Sequence, residues 1–115
     1  MISVDTRRKI DRELALARQA RTDGLEGKAR VCARRAVGAA LRGYYLQRQP
    51  QIANWSVVDL IQAFGERSDI PKKLREICAH LLIRVDPDYT LPESIDLLSD
   101  AEILIDAIVE EEENA

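Results

Sequence analysis

One histidine and one arginine in this chain could do chemistry together. His80 is the chain's single histidine, and Arg75 precedes it by five positions. An imidazole exchanges protons near neutral pH. A guanidinium stays charged and grips a phosphate through paired hydrogen bonds. The two suit cleavage of a phosphodiester without a metal. His80 would move the proton on an attacking 2′-hydroxyl or on the leaving oxygen, and Arg75 would stabilise the charge that builds on the phosphoryl oxygens. The plain alternative is an ordinary surface, with Arg75 paired to Glu76 or Glu93 and His80 solvated. Lys28, Arg35 and Arg42 recur every seven residues, two turns of a helix, and form a basic stripe that would meet RNA or another phosphate.

Composition narrows what could carry those residues. The chain has 115 residues, 46% hydrophobic and 32% charged, which suits one folded domain over residues 1–115. Only five aromatic side chains occur (Tyr44, Tyr45, Tyr89, Trp55 and Phe64), few for a sheet protein. No apolar run approaches the roughly 20 residues that cross a bilayer, and the first residues, Met1 to Asp5, lack a signal-peptide core. A cytoplasmic protein is expected. Cys32 and Cys78 fall in apolar helical patterns and read as buried free thiols. Two cysteines and one distant histidine do not make a structural zinc site, and neither metal nor cofactor is expected. The net charge of −3 hides a division: residues 1–50 carry 12 Lys/Arg and 5 Asp/Glu, whereas residues 51–115 carry 5 and 15. A basic half can meet phosphate and an acidic half a basic partner; equally, the halves can attract each other within the fold.

Five helices must position these residues. The first spans about 4–22, with Ile10, Leu14, Ala17 and Arg21 at helical spacing and Gly24 as its C-terminal cap. The second, about 26–49, presents Ala29, Cys32, Ala33, Ala36, Ala39, Ala40 and Gly43 on one small-residue face, which lets a neighbouring helix come close. Gly38 and Gly43 each cost about 1 kcal/mol against alanine in a helix, and close packing is the reason to carry them. Pro50 stops this helix. The third, about 56–66, starts on Ser56 as N-cap. The fourth, about 71–85, is capped by Ser68 or Asp69 with Pro71 in its first turn. A loop over 86–92 leads to the fifth, about 93–111, with Leu97, Ala101, Leu104 and Ile108 as its buried stripe. The acidic tail over 110–115 is expected to fray, because four like charges oppose the helix dipole. Short connections favour an all-α, up-and-down bundle of four to five antiparallel helices centred on the second.

The outer face of the fourth helix is unusual. At about 100° per residue, Leu74, Ile77, Cys78, Leu81 and Val85 face the core. Lys72, Glu76, Ala79 and Ile83 face outward, with Arg75 and His80 at the edges. A small and a large apolar residue between an arginine and a histidine suggest a contact surface. A homodimer across Ala79 and Ile83 would bring two Arg–His pairs into one cleft, where they could divide the acid and base roles.

The whole pattern resembles the HEPN domain family over about residues 5–110. Three stretches carry the likeness. Residues 33–42, Ala33-Arg34-Arg35-Ala36-Val37-Gly38-Ala39-Ala40-Leu41-Arg42, look like the family's small-residue helix. Arg75-Glu76-Ile77-Cys78-Ala79-His80 fits its Arg-x4–6-His motif. Arg84-Val85-Asp86-Pro87-Asp88 is similar to the Arg-Tyr-Pro-Asp turn of its nucleotide-binding branch. The resemblance implies a helical homodimer with the motif helices facing across the two-fold axis. It implies metal-independent RNA cleavage in toxin-like members of toxin–antitoxin pairs, and a nucleotidyltransferase as a frequent partner. In other members it implies a non-catalytic accessory domain that binds a nucleotide or such a partner. This chain mixes the branches: Leu82 stands where toxin-like members often have Tyr, and Val58-Asp59-Leu60 where the accessory branch often has His-Asp-Leu. Two functions are therefore expected as alternatives, an endoribonuclease and an accessory binding domain.

Overall fold

The computed structural model describes residues 2–83 and 95–114. Its described residues form five α-helices and one short 3-10 turn. The expected loop over 86–92, the expected start of the last helix at 93, and the Arg84–Asp88 stretch lie outside the described residues.

Helix α1 runs Val4–Thr22. The Ser3 side chain accepts from the Thr6 amide at 3.0 Å, occupying one of the free donors at the helix start. Ile10, Leu14, Ala17 and Ala20 are buried at three- and four-residue spacing. The helix closes at Gly24, whose φ of 76° is left-handed backbone that glycine adopts without a Cβ penalty. The Leu25 amide then donates back to the Ala20 carbonyl at 2.8 Å, which turns the chain toward helix α2, Glu26–Arg48.

Helix α2 is the centre of the fold and packs against α1, α3 and α5. Of its small-residue face, Ala29, Cys32, Ala33, Ala36 and Ala40 are buried, while Ala39 and Gly43 are half-buried and line a groove. The glycines mark the closest approaches. A Cβ on Gly43 would lie 2.8 Å from Thr6 of α1, and one on Gly38 would lie 2.5 Å from Cγ2 of Val57. A 3-10 turn, Pro50–Ile52, follows α2 and tucks Ile52 into the core. Helix α3, Val57–Gly65, starts on Ser56, whose hydroxyl accepts from the Asp59 amide at 3.1 Å.

Helix α4 differs from expectation at both ends. It runs Lys72–Leu81, short of residue 85. Pro71 occupies the N-cap position without a side-chain bond. Neither Ser68 nor Asp69 caps it, because Asp69 is held by Arg67 at 2.7 Å. At the other end Arg34 of α2 donates to the carbonyls of Leu81 at 2.9 Å and Ile83 at 3.0 Å. A continuing helix would offer those oxygens to its own amides. Ile83 consequently lies beyond the helix, half-buried against the core, and not on an outer face with Ala79. This corrects the outward placement of Ile83.

Helix α5, Leu97–Glu113, begins on Asp96, which accepts from the Ser99 amide at 3.1 Å. Its stripe of Leu97, Ala101, Leu104 and Ile108 is buried, together with Leu98 and Ile105. The acidic end is helical rather than frayed. Glu112 is 2% exposed and pairs with Arg48, and Glu111 pairs with Arg67 at 2.7 Å. Cations from elsewhere in the fold neutralise the repulsion that the run of glutamates would otherwise feel. Among the described residues, no helix is long and apolar enough to cross a membrane.

Candidate functional site

The two residues of the Arg–His pair are held by different parts of the fold. His80 turns toward α5, with Nδ1 2.9 Å from Oδ2 of Asp100. A carboxylate only accepts, so Nδ1 donates, and this orients the ring with Nε2 as its second functional nitrogen. Asp100 is buried, while the His80 side chain is 33% exposed. Arg75 is exposed on another edge of α4, where its Nη2 makes one long contact, 3.5 Å, to the Arg67 carbonyl. One side chain is therefore directed at α5 and the other at the turn before α4. The two share no hydrogen-bond partner among the described residues. Ala79 is exposed between them.

The basic stripe of α2 divides in a similar way. Lys28, Arg35 and Arg42 are all exposed. Arg35 and Arg42 line one groove of about 470 Å³ between α1 and α2, and Lys28 does not. The groove also takes Lys9 and Arg12 from α1, so its walls carry four cationic side chains against two acidic ones, Asp5 and Glu13. Arg42 is fixed: Nε donates to the Ala53 carbonyl at 2.9 Å and Nη2 to the Trp55 carbonyl at 2.8 Å. These neutral acceptors anchor the turn after α2 but leave the guanidinium charge uncompensated. Lys9 bridges Asp5 at 3.4 Å on the surface. Glu13 has one oxygen shielded from water and without a hydrogen-bond donor. Among the described residues, no ion pair or hydrogen bond occupies Arg12 or Arg35.

Three further arginines matter, and spacing alone did not single them out. Arg34 lies half-buried on α2 beside the small-residue face. Burial, and then the neighbouring Arg30, lower its pKa from the usual guanidinium value. An arginine inside the Ala33–Val37 run was the available signal. Arg48 stacks its guanidinium 4.1 Å from the centre of the Tyr44 ring. Arg67 touches Asp69, Glu111 and the Tyr44 hydroxyl at once. For these two the partners are remote in sequence and no local pattern announces them.

Other side chains are inert by placement. Cys32 and Cys78 are both buried and free, as expected. Burial pushes the Cys78 thiol up to about 11, so little thiolate forms near neutral pH. No family model matches the chain, and neither a curated protein nor a solved structure does. The fold and its charges thus define the class: an all-helical globule with a cationic groove on one side and an oriented histidine on another.

Proposed function

We propose that this chain is a HEPN-like helical domain acting as a non-catalytic binding module. It takes a phosphate-bearing ligand, RNA or a nucleotide, in the groove between α1 and α2. The observation that carries this reading is the groove's unneutralised charge. Arg12 and Arg35 make no ion pair or hydrogen bond among the described residues, four cationic side chains outnumber the two acidic ones, and Arg42 is held on neutral carbonyls. Anionic oxygens would supply the missing acceptors through charge-assisted hydrogen bonds. Arg75 and His80 have different hydrogen-bond partners, Arg67 and Asp100, which is in keeping with a binding role.

The test is anisotropy of a labelled oligoribonucleotide, and separately of a labelled nucleoside triphosphate, across a salt series. Affinity should fall with salt, with a log–log slope of roughly −1.4 to −2.1 for two or three phosphate contacts to single-stranded RNA. The double variant Arg12→Glu/Arg35→Glu should lower affinity about tenfold or more. Unchanged affinity in that variant would remove the groove from the function.

A second reading, metal-independent RNA cleavage, has one observation in its favour. Asp100 orients His80 as a proton-transfer group would need to be oriented. Arg75 would then have to act on a phosphate held by a second copy of the chain. Cleavage by the purified protein in EDTA, abolished by His80→Ala and sharply reduced by Asp100→Asn, would support it. Cleavage that survives His80→Ala would exclude this histidine from the chemistry.

A further inference from the structure

A second groove also runs along α2, meeting the first at Val57, and it has a different character. It measures about 410 Å³ and runs between α2, α3 and the end of α4. Val31 and Val58 line it while 44% and 57% exposed. Leu82 and Ile83, half-buried, continue its apolar wall. Neighbouring apolar side chains left open to water in one concave strip favour an apolar occupant. The charges at the rim are Arg30 and Arg34. Arg34 spends its hydrogen bonds on two backbone carbonyls, and among the described residues no carboxylate pairs with either arginine. Elsewhere Arg21, Arg48 and Arg67 each hold a carboxylate. Two adjacent cations beside an apolar strip, with no counter-ion, are complementary to an occupant that carries carboxylates next to apolar side chains.

We propose that this groove docks an acidic amphipathic helix of a partner protein. Apolar side chains of the helix, spaced at three and four residues, would cover Val31 and Val58, and its carboxylates would meet Arg30 and Arg34. The contacts it uses, Val31, Val58, Arg30 and Arg34, do not line the α1–α2 groove and do not include His80, so it stands independently of the phosphate-binding reading.

The probe is a synthetic peptide of about four helical turns, with leucines on one face and glutamates on its flanks. It is titrated into the isotope-labelled full chain and followed by amide chemical shifts. A control peptide has lysine at every glutamate. The acidic peptide should shift the amides of Val31, Val58 and Leu82, and bind at least about tenfold more tightly than the lysine control. Val58→Lys at an exposed position and Arg30→Glu at a half-buried one should each weaken it about tenfold while the circular dichroism of the chain stays unaltered. Absence of binding, equal binding of the two peptides, or shifts confined to the α1–α2 groove would overturn the proposal. Sedimentation showing a dimer that Val58→Lys dissociates would overturn it in favour of a second copy as occupant.

Discussion

What each guanidinium touches decides what it contributes. Arg42 and Arg34 bind backbone carbonyls and fix a turn and a helix end, whereas Arg21, Arg48 and Arg67 bind carboxylates and hold α5 in place. The Arg21–Asp96 pair makes a pH prediction. The hydrogen bond from Arg21 holds the Asp96 carboxyl below its usual range. A depressed carboxylate contributes stability that is present above its unfolded pKa and lost as pH falls through the folded value. Asp96→Asn keeps an oxygen for the Ser99 amide and removes the charge. Because both side chains are well exposed, the variant should lose at most about 1 kcal/mol at neutral pH. That difference should close as pH drops below the usual aspartate range, through the depressed folded value. Thermal denaturation at stepped pH measures it. A gap that persists in acid would trace the loss to the cap, not the ion pair.

At the scale of elements, the helices meet where side chains are small. Gly38→Ala gains about 1 kcal/mol of helix propensity. It also places a Cβ 2.5 Å from Val57 Cγ2, an overpacking of about 1–3 kcal/mol. The net change should be destabilising by up to about 2 kcal/mol. Val57→Ala should relieve part of it, visible as a coupling term in a double-mutant cycle. Gly27 lies in the same helix with nothing within 4 Å of a Cβ. Gly27→Ala should therefore stabilise the chain by about 0.4–1 kcal/mol. Denaturant titration separates the two; equal effects at both positions would show that α2 does not need its small face for contact with α3.

For the whole molecule, ion pairs join the basic first half to the acidic second half. Arg21 reaches Asp96 at 2.9 Å and Arg18 reaches Glu102 at 3.6 Å, while Arg48 holds Glu112 beside the Tyr44 ring. Tyr44 in turn packs edge-on against Tyr45 and Phe64, with centroids 5.1 and 6.1 Å apart. The end of α5 is thus part of the core's closure. Arg48→Ala leaves the buried Glu112 carboxylate without its guanidinium and should cost about 3 kcal/mol. Glu112→Gln removes the buried charge itself and should cost clearly less. A chain truncated after Glu110 should melt lower than the full chain in calorimetry. An unchanged Tm would restore the picture of a solvated tail.

The sequence by itself determined that five helices form and roughly where, though not where α4 ends. Their periodic apolar stripes, Ser56 as N-cap, Gly24 as a C-terminal stop and the small face of α2 are local signals, read over one or two turns. The tertiary structure alone decided which charge meets which. Arg34 ends α4 from 47 residues away, and Arg67 and Arg48 seat the acidic end of α5 across 44 and 64 residues. His80 found its carboxylate 20 positions on, while Arg75, on the same helix, turned elsewhere. Apolar burial at helical spacing depends on neighbours along the chain. A long charged side chain can reach several partners, and its choice is made only once the helices have packed.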